Sequence, residues 1–570
     1  MFITIILLLF YLFYQLYNYI SKPKFIKKSQ MNDTTSFDKL DKNRYSKLKI
    51  PNNIDVIILG SGISGLVCAA LLSKCGKKVL VLEQHYIAGG NLHTFEDNKI
   101  EHDTGLHYIG LSNTFKSIIE LLTDNISWYQ LGTKNNLVYD KIIFGKDEYN
   151  FRAGKSNIIK DLSDLFPNEK NNLVKYFDLV EKVANNNYFK YKVISNKYLY
   201  HILMKVITYF DVDYVKYLTE STFDVISSII KNKKLVNILC GQCGDYAIKP
   251  SESNFFIHAN IVNHYINGGY YPNGGSSVIT KQLIRTINRN NGTVLVGKKV
   301  SKILVKNNIA YGIKMVNGDE IYSNQVISSI GYKNTFSKLL NTGNNTKLKS
   351  SQSFITLFVN LNKNPNELNI PDYNIWYYPN YNIDSCFDNL NDDIFCKNFP
   401  FFLSSSSAKD ETWVERYPDT SNLSIICLIK NNLFEEWKDE KCGNRSEEYK
   451  DLKEIISQNI LYNCLYKILP ETRNNIINYE LATPETYRYY LNTFDCEGYG
   501  LESSKNRFLD NDLVPKTNIE NLYLSGQDIC TMGISGALFS GVITSYSILG
   551  YGNMIDVMMK RDLIKDLKKI

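Results

Sequence analysis

Apolar residues fall into short runs along this chain, and the runs near its two ends are the sharpest. Residues 55–59 (DVIIL) are β-branched and apolar without alternation, the pattern of a strand buried on both faces. Small and apolar residues continue over 66–74 at helical length, Gly76 supplies a stop, and residues 78–82 (KVLVL) repeat the strand pattern. The expected unit is strand, helix, strand. Near the other end, residues 521–525 (NLYLS) read as a strand, Gly526-Gln527-Asp528 as a turn, and an apolar helix runs from about Gly533 to Leu549. Between them the pattern gives a helix over 278–287, strands around Val294 and Ile303, and a hairpin at Asn317-Gly318, a dipeptide that favours tight turns between strands. No short-period internal repeat is visible.

The first twenty residues, MFITIILLLFYLFYQLYNYI, carry no formally charged side chain and match the thickness of a bilayer core. A membrane anchor is expected, because no Lys or Arg precedes the run and no small-residue cleavage site follows it, as a signal segment would require. Lys22, Lys24, Lys27 and Lys28 follow, which by the positive-inside tendency leaves the body in the cytosol. At the far end Ile555, Met559, Leu563, Leu567 and Ile570 recur at helical spacing among basic residues. That tail suits a membrane surface or a helix packed on its own protein.

Charge is confined to the same ends. Of the net charge of +7, residues 21–49 hold nine Lys or Arg against three Asp, and residues 555–570 hold five against three. The body is close to neutral, which excludes a basic face for nucleic acid. Eleven scattered cysteines, an odd number with no zinc-like double pair, fit a reduced compartment and no metal site. Cys240 and Cys243 have redox-motif spacing without the usual surroundings and are expected to be structural.

Chemistry enters at the glycines. Gly60 permits the tight turn after the first strand, Gly62 lets backbone approach a pyrophosphate, and Gly65 lets the helix pack closely on the strand. The helix N-terminus then faces the anion. Glu83 ends the second strand, where an acid accepts ribose hydroxyls. NAD and FAD both fit that much. Gly89 and Gly90, in QHYIAGG, add a second backbone loop just beyond the acid. Gly526, Asp528, Gly533 and Gly536 form another glycine-rich helix start, and FAD is long enough to need a second anchoring point. Paired, the two blocks favour FAD.

These residues resemble a known family. Residues 83–95 (EQHYIAGGNLHTF), 102–110 (HDTGLHYIG), 241–259 (GQCGDYAIKPSESNFFIHA), 264–275 (HYINGGYYPNGG) and 522–538 (LYLSGQDICTMGISGAL) look like the carotenoid and retinoid oxidoreductases, nearest to their retinol-saturating branch. The resemblance spans residues 55–549 and is silent over 111–240 and 340–510. It implies an FAD-dependent enzyme on endoplasmic-reticulum or similar membranes, acting on a lipophilic isoprenoid polyene, with NAD or NADP as an electron donor.

The expected fold is α/β: a Rossmann-type FAD-binding domain of the glutathione-reductase superfamily, an inserted α+β substrate domain and an N-terminal hydrophobic segment. The expected order is a membrane anchor or signal segment (1–20), a basic linker (21–49), FAD-binding pieces (50–165, 256–334 and 515–552), a substrate or lid region (166–255), a substrate domain (335–514) and a basic amphipathic tail (553–570). Residues 166–255 and 335–510, rich in aromatic and helical segments, should form the lid and an apolar tunnel. Saturation of a polyene bond needs a hydride from the flavin and a proton from elsewhere. His107 is the candidate donor, since histidine can donate near neutral pH, with Asp103, Tyr108 and Tyr271 as weaker candidates. A carotenoid cis-trans isomerase or phytoene-type desaturase uses the same fold and cofactor. A non-enzymatic prenyl-binding protein of the Rab GDP-dissociation inhibitor type predicts a damaged glycine triplet, which this chain does not have.

Overall fold

A computed structural model describes residues 35–550 apart from 186–191, 193–196, 211, 344–345 and 389. The anchor expected at 1–20 and the tail expected at 553–570 lie outside the described residues. Among the described residues no helix is long and apolar enough to cross a membrane.

One layer is a five-stranded parallel sheet built from β1 (Val56–Leu59), β2 (Val79–Leu82), β3 (Thr293–Leu295), β4 (Gln325–Ser328) and β5 (Leu522–Leu524), in the order β5-β4-β1-β2-β3. Strands distant in sequence thus become neighbours. Three helices cover one face: α1 (Ile63–Lys74), α2 (Ser277–Arg289) and α3 (Gly533–Leu549). A three-stranded antiparallel sheet within residues 300–322 covers the other. The apolar runs follow from this sandwich. Val56, Ile58, Val79 and Val81 pack on the helices, while Ile57, Leu59, Leu80 and Leu82 pack on the small sheet. Each such buried side chain contributes about 1.5–3 kcal/mol, so both faces of the strands must be apolar.

α1 begins three residues before the expected Leu66, because its first turn is built from the glycine-containing sequence Ile63-Ser64-Gly65. It ends where expected. Gly76 (φ 82°) and Lys77 turn back to donate their N–H groups to the carbonyls of Ser73 (2.9 Å) and Leu72 (3.0 Å), closing the helix with a left-handed glycine. The hairpin expected at Asn317-Gly318 joins Ile309–Met315 to Glu320–Tyr322. Residues 37–45, inside the stretch expected as a linker, pack on this layer: Leu40 is buried, the carbonyl of Asp41 accepts from the N–H of Ala88 (2.8 Å), and Arg44 bridges Val296.

The second layer is a seven-stranded mixed sheet, in order Ile476–Ala482, Ser353–Leu361, Ser421–Ile429, Phe401–Ser404, Asn374–Tyr378, Val138–Phe144 and Asp147–Arg152. The strands at 138–144 and 147–152 join this sheet, so residues 50–165 divide between the two layers. Strand alternation splits its side chains into two faces. Ile355, Leu357, Ile375, Leu403, Leu423 and Ile425 enter a core under the helix Glu447–Ile460. Their odd-even neighbours face inward, toward the parallel layer and the helical region Lys170–Ala184 to Phe255–Tyr265.

Candidate active site

A cavity of about 1400 Å³ runs between the layers. One end is walled by backbone of glycine-rich loops: Gly60 and Gly62, Gly89 and Gly90, Gly526, and Gly533 and Gly536, with Glu83 and Asp528 beside them. Gly65 alone of the expected cofactor residues stays outside the cavity, as its packing role requires. A Cβ on Gly65 would overlap the Gly60 carbonyl oxygen and come within 2.7 Å of Ser329 Oγ. A Cβ on Gly62, by contrast, would meet no protein atom within 4 Å, and one on Gly90 would lie 3.1 Å from Gly62 Cα. The two loops therefore touch backbone to backbone at Gly90 and Gly62, and Gly62 turns its free side to the cavity.

Segments more than four hundred residues apart meet here. Ser64 on α1 hydrogen-bonds Ser525 after β5, and a Cβ on Gly541 of α3 would lie 2.7 Å from the Ser64 carbonyl oxygen. This bare contact lets α3 lie against α1, with the first turns of both helices lining the cavity. Paired helix N-termini direct unpaired N–H groups and positive dipole ends at whatever sits between them, which suits a pyrophosphate.

Glu83 fixes the loops. Its Oε2 accepts from Ser61 N (3.0 Å) and Ser61 Oγ (2.7 Å), and its Oε1 accepts from His85 N (2.8 Å). Ser61 Oγ in turn accepts from Gly89 N (3.0 Å). Asp528 is a clip more than a free ligand: its oxygens accept from Tyr332 N (2.8 Å) and Leu501 N (2.9 Å), joining three loops at the cavity wall. Arg507, 1% exposed, donates to the carbonyls of Leu501, Glu502 (3.0 Å), Gln527 (2.6 Å) and Cys530 (3.4 Å), holding the same loops from behind. Neither Ser61 nor Arg507 stands out in sequence, because one is part of a glycine motif and the other is an isolated charge.

The other end is apolar. Phe354, Trp376, Tyr378, Phe402, Ile426 and Leu428 project into it from the inward face of the mixed sheet. The tunnel expected from 335–510 thus takes these apolar side chains from strands rather than from helices.

The candidate proton donors separate. His107 lines the cavity, its ring 5.7 Å from that of Phe402. Burial, with Lys409 adding to it, pushes its pKa down to about 3. Burial thus favours the uncharged imidazole at neutral pH. His93 and His264, also at the cavity, are pushed down to about 4 by burial. His264 accepts from Gly110 N (2.8 Å) and meets Ser535 Oγ (3.3 Å), a fastening that sequence reading missed. Tyr271 donates to Asp103 (2.7 Å), and both lie outside the cavity wall; burial raises Asp103 to about 6. Tyr108 lines the cavity. Cys240 and Cys243 are both buried and unpaired, and burial raises both thiols, so neither is a ready thiolate. Among the described residues no group of His, Cys, Asp and Glu could hold a metal.

A sequence model of the NAD(P)-binding Rossmann-like domain matches residues 58–124. The chain is 34% identical over 552 residues to an all-trans-retinol 13,14-reductase of Danio rerio, covering 90% of this chain and 89% of that protein. The chain belongs to the all-trans-retinol 13,14-reductase family. A chloroplastic prolycopene isomerase of Daucus carota is a more distant relative of this reductase-family chain, 26% identical over 92% of this chain and 84% of its own. The fold is shared with a putrescine oxidase solved with putrescine bound, at TM-score 0.56 and 12% identity, covering 88% of this chain and 99% of that one.

The cradle's fit to a dinucleotide rests on its own atoms. His85 Nε2 is buried at the cavity with no partner among the described residues, a polar atom facing a ligand's place. Glu83→Ala should weaken FAD binding about 10- to 100-fold, since about 1–3 kcal/mol attaches to each buried donor left without an acceptor. Flavin titration of the variant measures this, with unchanged far-ultraviolet dichroism as the control.

Proposed function

We propose that this chain is an FAD-dependent reductase that saturates a carbon-carbon double bond of a retinol-like polyene. The observation that carries the reading is one cavity lined both by the glycine cradle and by the aromatic side chains of the mixed sheet. Gly60, Gly62, Glu83, Gly89 and Gly90 would hold one half of the cofactor, and Gly526, Asp528, Gly533 and Gly536 the other. Gly65 would keep α1 close enough to the sheet for its N-terminus to reach the pyrophosphate. FAD supplies hydride chemistry when bound. The chain's own residues orient the polyene along the chamber and exclude water from it. His107 serves as neutral wall.

The architecture follows the glutathione-reductase superfamily, with a substrate domain inserted between cofactor-binding pieces. NAD or NADP is the proposed source of electrons. The uncharged run at 1–20 supports attachment to a membrane of the endoplasmic-reticulum kind, where a lipophilic polyene is available. The prolycopene isomerase relative supports a second reading, isomerisation, because the same cavity would accept a longer polyene.

The test is anaerobic incubation of the reduced, flavin-loaded full chain with all-trans-retinol, phytoene and poly-cis-lycopene, followed by product masses. Retinol should gain two hydrogens. Lycopene changed in retention at constant mass would support the isomerase, and phytoene losing two hydrogens in a parallel incubation with the oxidised, flavin-loaded chain, its flavin being reduced in turn, would support a desaturase. Trp376→Ala should raise KM for retinol about 30-fold with flavin content unchanged, since about 2 kcal/mol attaches to burying such a side chain against a ligand.

A further inference from the structure

Beside the cavity lies a buried polar cluster for which the cofactor cradle gives no reason. Lys409, 0% exposed, directs Nζ at three oxygens: the His107 carbonyl (3.1 Å), Ser404 Oγ (2.6 Å) and Asn374 Oδ1. Three acceptors use all three protons of an ammonium, where a neutral amine has only two. Burial pulls this group down to about 7, and Asp103, Asp140 and Asp372 oppose it. The charged form donates all three contacts, whereas a neutral amine would give its two protons to the carbonyl and amide oxygens and accept from the Ser404 hydroxyl; the carboxylates nearby favour the first.

Asn374 turns its other end to Asp140, Nδ2 donating to Oδ1 at 3.1 Å, and Gln242 Nε2 donates to Oδ2 at 2.8 Å. Burial raises Asp140 to about 7, and the two amide donors, with Lys409 nearby, oppose that rise and favour the carboxylate. The Tyr108 hydroxyl then stands 3.2 Å from Asp140 Oδ2 and 3.1 Å from Asp245 Oδ2. A phenol carries one proton. Given to the Asp140 carboxylate, it leaves the second contact to be completed by a proton on Asp245. Asp140 and Lys409 are sealed from the cavity, whereas Tyr108 and Asp245 line it.

We propose that Asp245, held as the neutral acid by Tyr108, Asp140 and Lys409, is the proton donor in saturation of the polyene. The inference rests on the flavin-reductase reading above. In the step, Asp245 breaks its O–H bond and gives the proton to one carbon of the double bond, while the other carbon takes hydride from a two-electron-reduced flavin. Two C–H bonds form, one π bond is lost and the flavin is oxidised. Asp245 is left as a carboxylate within reach of the Tyr108 hydroxyl, and water entering after product release restores its proton. The titratable groups that face Asp245 are Asp140, the thiol of Cys243 and the phenols of Tyr108, Tyr265, Tyr139 and Tyr499. Burial raises its acid range well above the ordinary value, Asp140 adds to the rise and Tyr108 opposes it.

The test compares the full chain with Asp245→Asn, Asp245→Glu and Tyr108→Phe. Without substrate at pH 7, the infrared spectrum of the wild type minus Asp245→Asn should show a carboxylic-acid C=O band that shifts in D2O. With retinol, Asp245→Asn should lose about 10²- to 10⁴-fold in kcat while KM and flavin content stay within about twofold; Asp245→Glu should recover part of the loss. Tyr108→Phe should move the band and lower kcat about tenfold, and it serves if Asp245→Asn fails to load flavin. No band in the difference spectrum, or a flavin-loaded Asp245→Asn that turns over like the wild type, overturns the donor role. A wild type that binds flavin and leaves retinol unchanged overturns the reductase reading and the donor role with it; a wild type that saturates retinol beside an unimpaired variant overturns the donor role alone.

Discussion

Gly62→Val should give a folded, colourless protein. The added side chain meets no protein atom at its Cβ, so the fold has no cause to change, yet it projects from Gly62 into the cavity. A ligand that needs backbone contact there would be displaced, and FAD affinity should fall at least about 100-fold, or about 3 kcal/mol. Gly65→Val should fail differently. Its Cβ overlaps the Gly60 carbonyl oxygen and presses on Ser329, and overpacking of this kind costs about 1–3 kcal/mol or more. Flavin-free Gly65→Val should therefore melt below flavin-free wild type, whereas flavin-free Gly62→Val should melt with it. A fully yellow Gly62→Val would contradict the role given to that glycine.

Arg507→Ala should be the most destabilising single change at the site. The guanidinium is sealed from water and donates to four carbonyls from residues 501–502 and 527–530. Truncation strands those acceptors and leaves a void, a loss of about 3–5 kcal/mol. The loops it holds include the Asp528 clip, so flavin release should accompany unfolding at the lower temperature. Arg507→Lys should lie between, because an ammonium has three donors but not the planar fork that spans separate loops. Coincident melting of Arg507→Ala and wild type would show that the loops hold without it.

The parallel layer was legible in sequence because its signals are local. β1 and β2 are apolar on both faces, and the glycines between them have jobs that only glycine can do. Their union with β5 and α3 could be inferred only from the length of the expected cofactor, yet Ser64 and Ser525 do meet. The mixed sheet was not legible. Val138–Phe144 pairs in parallel with Asn374–Tyr378, opposing Asp140 to Asn374 across more than two hundred residues, and no local pattern names such a partner. The same pairing hid the polar cluster, since Asp140, Asp245, Asn374 and Lys409 come from four separate segments. Asp245 lies in the stretch GQCGDYAIKP, beside Cys240 and Cys243, whose spacing is the more conspicuous sequence signal. His107 was singled out by its motif, and burial, a property of the folded chain, is what keeps it neutral.

The most direct test of the central claim is a titration of flavin-free full chain with FAD, followed by flavin fluorescence. The account predicts saturable uptake of one FAD per chain, with NAD alone unable to compete at similar concentration, because NAD shares the adenosine and pyrophosphate but carries a nicotinamide riboside where FAD carries the longer ribityl-isoalloxazine that the second glycine block would hold. A folded chain that takes up no FAD, or that binds NAD as tightly, would contradict it.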